Sequence, residues 1–555
     1  MPAADSTRVP AAAPADGHSV LYRGGFVYSP VDPFASAMVV ADGTLAWVGS
    51  EEAADTHVDT VGEVVQLDGA LVTPAFVDAH VHTLMTGQAL DGVDLSQTHS
   101  VTEALRLIET AARYSGGRPV YAHSWDETGW AEGRPATSEE LDRATHGALV
   151  YMPRVDAHSA SVSSALAAAA GAAGLDGWDG TGLVHRDAHH AVRDTFAAHL
   201  TPADRRHYID LALRAAAEAG IGLVHEMSAP HVGSPDELRE VIAAGERADG
   251  PQVMPYWGQL VATEDEARDL VAELGVLGLA GDLCADGSLG SHTAHLRQPY
   301  ADAPESRGFG YLSVEQIRDH VAACSRVGAQ AGFHVIGDAA IEDVVAGLRA
   351  AAKLVGVESV RRARHRLEHA EALTADSIAA LVEYGVHASV QPAFDAAWGG
   401  ATGMYAARLG AERALANNPF ATMTAAGLSL ALGSDTPVTP FAPWEAIRAC
   451  VNHHNPDQRI SARAAFLAHT RGGWRAGGVD DRGFLALGQP ASFAVWQVGD
   501  LVVQAPDDQI QAWSTDPRSG TPGLPDLSPD APAPVNLRTV VRGRTVFDRD
   551  GALTA

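Results

Sequence analysis

The sequence predicts an α/β protein in which repeated βα units build a parallel sheet, with short β-rich segments at both ends of the chain. Two observations predict it. From about Phe76 onward, apolar β-rich stretches alternate with longer segments rich in Ala, Leu, Arg and Glu that carry a 3.6-residue apolar spacing. Before Phe76 and beyond Asp480 that spacing gives way to brief runs of β-formers separated by Gly, Asp and Pro.

Taken in order, a Pro/Ala-rich lead precedes Val20-Leu21-Tyr22, Phe26-Val27-Tyr28, Ala37-Met38-Val39-Val40 and Leu45-Ala46-Trp47-Val48, which read as strands of a small β domain. Candidate strands of the βα region are Ala75–Ala79, Pro119–His123, Ala148–Pro153, Ile221–Met227, Leu279–Ala285, Ala331–Ile336, Arg366–His369, Val386–Gln391 and Leu428–Ser434. Helical stretches such as Pro202–Ala219, Val314–Val327 and Ile341–Leu354 lie between them, and together they suffice for a (β/α)8 barrel plus an insertion. Further on, Gly483-Phe484-Leu485, Phe493-Ala494-Val495-Trp496 and the run from Val540 to Phe547 return to a β pattern, interrupted by a Pro/Asp-rich loop at Asp516–Val535. The small domain is therefore expected to be discontinuous, residues 1–75 with 482–555, around a barrel at 76–481. No short internal repeat suggests a solenoid or propeller.

Composition excludes several classes. With 46% hydrophobic and 19% charged residues over 555 positions, the chain reads as globular throughout most of its length. A formal charge of −30 argues against a nucleic-acid partner or an anionic membrane surface. The three cysteines, Cys284, Cys324 and Cys450, make no disulfide framework and suit a reducing compartment. The first residues lack an apolar targeting region, and no stretch approaches the roughly 20 apolar residues of a membrane span. A cytoplasmic protein without a membrane anchor is expected, with a homodimer, the commonest closed arrangement, as the default assembly.

The chemistry concentrates at strand ends. Phe76-Val77-Asp78-Ala79-His80-Val81-His82 closes an apolar strand with two histidines two residues apart, so both imidazoles face one side and suit zinc. Phe333-His334-Val335-Ile336-Gly337-Asp338 and Leu367-Glu368-His369-Ala370-Glu371 each set a histidine at the end of a strand, where barrel enzymes keep their ligands. Ala431-Leu432-Gly433-Ser434-Asp435-Thr436-Pro437 ends the last strand on an aspartate suited to bind metal and accept a proton from water, or to cap a helix.

The order His-x-His, His, His, Asp resembles the amidohydrolase superfamily over nearly the whole chain, closest to the branch containing N-substituted formamide deformylases. Further matching runs are Val72-Thr73-Pro74 before the first metal strand, Asp286-Gly287-Ser288-Leu289-Gly290-Ser291 with Thr293-Ala294, and Gly433-Ser434-Asp435. The resemblance implies a (β/α)8 barrel beside a small β-sandwich, one or two divalent metals, most simply Zn2+, and hydrolysis of carbon–nitrogen bonds in small non-peptide amides. It implies His80, His82, His334 and His369 as ligands, and Asp435 as both ligand and general base for metal-bound hydroxide attacking a carbonyl.

One departure bears on the metal count. Where relatives carry a carboxylatable lysine four residues before the Asp-Gly-Ser run, this chain has Asp282. Asp282 or Cys284, which share a strand face, would replace it as a ligand, or the site holds a single ion; Cys284 also reads as an ordinary buried residue. Trp125, Trp130, His158 and His225 fall on loops after strands, where they either line a substrate pocket or serve packing and structural hydrogen bonds. Two other activities stay open: deamination of a nitrogen heterocycle, for which Asp338 and Glu342 stand in the relevant neighbourhood, and a non-catalytic scaffold of the same fold.

Overall fold

The computed structural model of the chain describes residues 18–504, 513–514 and 522–553. Eight parallel strands form its central sheet: β1 Phe76–Val81, β2 Ile221–Ser228, β3 Gln252–Trp257, β4 Gly278–Leu279, β5 Gln330–Val335, β6 Arg366–His369, β7 His387–Val390 and β8 Ser429–Leu432. The sheet closes on itself where Val81 bridges Thr436 just past β8. Two backbone bonds stitch that seam, from Asp435 to the carbonyl of His80 (2.9 Å) and from His82 to that of Thr436 (3.1 Å). The result is a TIM-type barrel, and its closure alone brings the His80 and Asp435 segments side by side.

The helices that follow the strands begin and end on local signals. Pro202–Glu218 has Thr201 and Asp204 in a reciprocal cap with proline in its first turn, and Val314–Val327 is capped by Ser313 and Gln316 and ended by Gly328 in the left-handed conformation. Their apolar faces pack on strands that are buried along their whole length, as parallel barrel strands must be.

Both chain ends meet in a second unit. One sheet runs Thr44–Gly49, Ala37–Ala41, Ser19–Arg23, Glu63–Gln66; the other runs Phe26–Val27, Leu71–Pro74, Phe493–Gln497, Val535–Val541, Arg544–Asp548. Leu71–Pro74 pairs antiparallel with Phe493–Gln497, so early and late segments share one ladder. Tyr22, Met38, Val72, Phe493 and Val540 fill the space between the sheets, with Tyr22 edge-on to Phe493 at 5.1 Å.

Four expectations need correction. Pro119–His123 and Ala148–Pro153 do form strands, Val120–His123 and Val150–Pro153, but in a separate five-stranded sheet inserted between β1 and β2, not in the barrel. A buried parallel strand has the same apolar pattern in either place. The barrel strand left out was β3, whose Pro255 and preceding Gly250-Pro251 read as breakers. Gly483-Phe484-Leu485 is irregular, whereas the run from Val540 to Phe547 is strand as expected, folded into a hairpin by a turn at Arg542 and Gly543, both left-handed. Leu279–Ala285 keeps only Gly278–Leu279 as regular strand. The lead at residues 1–17 and most of the first half of the Asp516–Val535 loop lie outside the described residues. No helix among the described residues is long and apolar enough to cross a membrane.

Three buried histidines tie the fold to pH. His320 is bonded to the carbonyl of Leu279, His365 accepts from the amide of Ala331, and His469 is bonded to the carbonyl of Val77. Burial holds His320 and His469 down to about 4 and His365 to about 3. Below about pH 6.5 the unfolded chain takes up these protons and the folded chain does not, so each histidine removes ~1.4 kcal/mol of stability per pH unit until its own folded value is reached. Urea unfolding is expected to show a clearly lower midpoint at pH 5 than at pH 7; an equal or higher midpoint at pH 5 would contradict this assignment.

Candidate metal centre

The C-terminal ends of the barrel strands carry the site. His80 lies in β1 and His82 just beyond it, His334 near the end of β5, His369 at the end of β6, Asp282 three residues past β4 and Asp435 three past β8. His369 and Asp435 both adopt left-handed backbone, with φ of 66° and 56°, which takes their side chains out of strand alternation and turns them to the mouth.

All six residues meet there. His80 Nε2 and His82 Nε2 are 3.3 Å apart, and Asp435 Oδ1 lies 3.3 Å from the first and 3.2 Å from the second. Asp282 places its two oxygens 3.5 Å from His80 Nε2 and 3.3 Å from His82 Nε2, and Oδ1 lies 3.8 Å from His334 Nδ1. The rings of His334 and His369 stand 4.4 Å apart, centre to centre. Two triads, His80–His82–Asp435 and His80–Asp282–His369, each have one donor atom apiece within 4.8 Å of the others.

Buried partners fix which nitrogen each imidazole presents. His80 donates from Nδ1 to Glu368 Oε2 (2.9 Å), His369 from Nδ1 to Gln391 Oε1 (2.8 Å), and His334 from Nε2 to the carbonyl of Gly287 (3.3 Å). Their opposite nitrogens face the cluster, free to take a proton or a cation. Glu368 is itself clamped by Arg366, which also bonds the carbonyl of Ala79 and the Nδ1 of His225. Strand periodicity puts Arg366 and Glu368 on one face, the barrel interior.

These residues fit a divalent cation. Metal bonds of about 2.0–2.1 Å to nitrogen and oxygen in a tetrahedron set the donor atoms about 3.3 Å apart, which is the spacing of His80, His82 and Asp435. Asp282 Oδ1 is buried without a hydrogen-bond partner among the described residues. The electrostatics run the same way. Burial disfavours the charged form of His80, His82 and His334, yet Asp435, Glu368 and Asp282 raise His80, Asp282 and Asp435 raise His82, and Asp282 pushes His334 up to about 9. Burial would raise Asp282 and Asp435 as well, but the histidines hold both below the usual carboxylate range. The cluster is short of positive charge. Burial and His334 keep His369 down at about 3, neutral and ready to ligate.

Above the cluster opens a cavity of about 440 Å³, floored by His82, Asp282, His334, His369 and Asp435 and walled by the inserted segment through Asp156, His158, His190 and Arg193. His158 thus faces the site, its ring 4.9 Å from that of His334, and burial and His334 lower it to about 4. Cys284 lines the same wall, its Sγ 3.6 Å from His231 Nε2 and its thiol pushed well up by burial, outside both triads.

Three candidate substrate contacts sit elsewhere. Trp125 and Trp130 are buried in the core of the insertion, where their indole N–H groups donate to the carbonyls of Met152 and Thr98; a large apolar ring with one satisfied donor is core material. His225 is sealed beneath the centre on Arg366, which together with burial keeps it neutral. Asp338 and Glu342 pair with Arg297 on the surface.

The Asp-Gly-Ser run proves to be an organiser. Asp286 accepts the amides of Ile336, Gly337 and His295, fixing the turn after His334. Ser288 and Ser291 hold Asp156 at 2.7 and 2.8 Å, and Asp156 pairs with Arg154, which also grips Asp126 and Glu127. The run thereby fastens the loop bearing His158 onto the barrel. Glu368 and Arg366 were the functional residues that sequence reasoning passed over, and opposite charges two apart inside a barrel strand were the available signal.

A barrel with this cluster at its C-terminal mouth defines a metal-dependent hydrolase. Residues 63–547 match the Amidohydrolase family, and the chain belongs to it. It is 26% identical over 518 residues to the putative amidohydrolase YtcJ of Bacillus subtilis, spanning 86% of this chain and 93% of that protein. It is 24% identical over 493 residues to the N-substituted formamide deformylase of Arthrobacter pascens, spanning 83% and 90%. The crystal structure of an uncharacterized metal-dependent hydrolase from Pyrococcus furiosus superposes with a TM-score of 0.66 at 26% identity, over 86% of this chain and 98% of that one.

Glu368→Gln is expected to weaken metal binding about 10- to 100-fold, because His80 loses its charged acceptor and Arg366 its counter-charge. Chelator competition measures this, and unchanged affinity in a folded variant would contradict the role given to Glu368.

Proposed function

We propose that this protein hydrolyses carbon–nitrogen bonds of small non-peptide amides, with zinc as the working ion. The 3.2–3.3 Å triangle of His80, His82 and Asp435 at the floor of a cavity carries the reading, and the kinship to an N-substituted formamide deformylase supports it. Zinc in such a nitrogen–carboxylate site lowers the pKa of bound water to about 7 and polarises a carbonyl.

The chain's own groups do the rest. Asp435 takes a proton from the attacking water on a carboxylate oxygen as the carbon–oxygen bond forms. It returns that proton to the nitrogen as the carbon–nitrogen bond breaks, leaving a carboxylic acid and an amine. His82, His334 and His369 hold the floor of the cavity. His158, a neutral imidazole on its wall, is placed to hydrogen-bond the substrate.

Deamination of a heterocycle finds less support, since the two acidic residues it would draw on, Asp338 and Glu342, are paired with Arg297 away from the cavity. A metal-loaded preparation screened on N-substituted formamides, N-acyl amino acids, cyclic amides and aminated heterocycles is expected to release acid and amine. Asp435→Asn should lower turnover by roughly 10²- to 10⁴-fold with an unchanged circular dichroism spectrum. Ammonia release from heterocycles alone, or an Asn variant as active as the parent, would overturn the proposal.

A further inference from the structure

One guanidinium in the cavity wall lacks a counter-charge. Arg193, on the inserted helix Arg186–Ala197, lines the same cavity as Asp282 and Asp435. It donates to the carbonyls of His231 (2.8 Å) and Ala157 (3.1 Å) and lies 3.5 Å from His189 Nδ1. Its Nε–H is buried with no acceptor. Among the described residues no carboxylate comes within 4.0 Å of its nitrogens.

Every other arginine near the site is paired. Arg366 holds Glu368, Arg154 holds Asp126, Glu127 and Asp156, Arg408 holds Glu127 and Asp302, and Arg186 holds Asp176 at the rim. Arg193 stays charged, because a guanidinium does not deprotonate in a protein. The imidazoles beside it add no negative charge, since burial and Arg193 itself keep His189 and His190 neutral, and the carboxylate that acts on it at longer range is Asp282, which lines the same cavity. A cation held by Asp282 and Asp435 would take up their negative charge and leave the guanidinium over. A part-buried charge with no carboxylate on it is stabilised when a ligand supplies one. On a chain of net charge −30, this is a local feature and not general basicity.

We propose that Arg193 anchors a carboxylate on the substrate, so that the site selects amides bearing an acid group, of the class of N-acylated amino acids, over neutral amides. This rests on the amide-hydrolase reading above and narrows it. A single planar guanidinium with spare donors suits a carboxylate.

The test compares hippurate and N-acetylleucine with their primary carboxamides, by calorimetric binding and by initial rates, on the metal-loaded protein and on Arg193→Met and Arg193→Lys. The acids should bind the parent protein about 10- to 100-fold more tightly than the carboxamides. Arg193→Met should abolish the difference and Arg193→Lys should keep part of it. Inorganic phosphate should compete weakly or not at all; strong competition by phosphate would overturn the choice of carboxylate. Equal binding of acid and carboxamide by the parent protein, no binding of either acid, or a preference that survives in folded Arg193→Met would overturn the proposal, the last pointing to an acid held by the metal alone. Selective binding without hydrolysis of any amide would uphold the anchor and sink the amide-hydrolase reading. Hydrolysis without acid preference would do the reverse.

Discussion

A carboxylate sealed inside the barrel, Glu368, governs the arrangement above it. Buried without a partner it would be neutral and useless; Arg366 on the same strand face and the Nδ1–H of His80 hold it down at about 2. Because it is ionised it can only accept, so His80 must carry its proton on Nδ1 and present Nε2 upward. Arg366 reaches in turn to His225 and to the carbonyl of Ala79 in β1. The polar filling of the barrel therefore orients the ligand that both triads share.

Above that layer the cluster is an electrostatic device before it is a chemical one. Two carboxylates, three imidazoles with raised proton affinity and one with lowered affinity create a place that takes up positive charge. Asp282 supplies the second carboxylate, its Oδ1 facing His80 and His334. The insertion between β1 and β2 then walls the barrel mouth into a cavity, fastened by Ser288 and Ser291 on Asp156.

Much of this was legible in the sequence, for physical reasons. Strand-end histidines are local features, and closure of a barrel carries them to one rim, so His80, His82, His334, His369 and Asp435 could be picked out without knowing any distance. The rest depended on partners far away in the chain. Trp125, Trp130 and His225 look like site residues in one dimension, and only the carbonyls and guanidinium they meet show that they are buried structure. Pro255 hid β3, because the rule against proline in strands is weaker than the packing that keeps this one in place. Arg193 was invisible for the opposite reason: one basic residue on an amphipathic helix reads as solvated until its missing counter-charge is seen.

Whether this cluster holds a divalent ion can be read from anomalous diffraction by crystals of metal-loaded protein. A peak bonded by His80 Nε2, His82 Nε2 and Asp435 is expected, with at least one ion per chain by elemental analysis. A metal-supplemented protein that carries almost none, or a peak only elsewhere on the molecule, would contradict it.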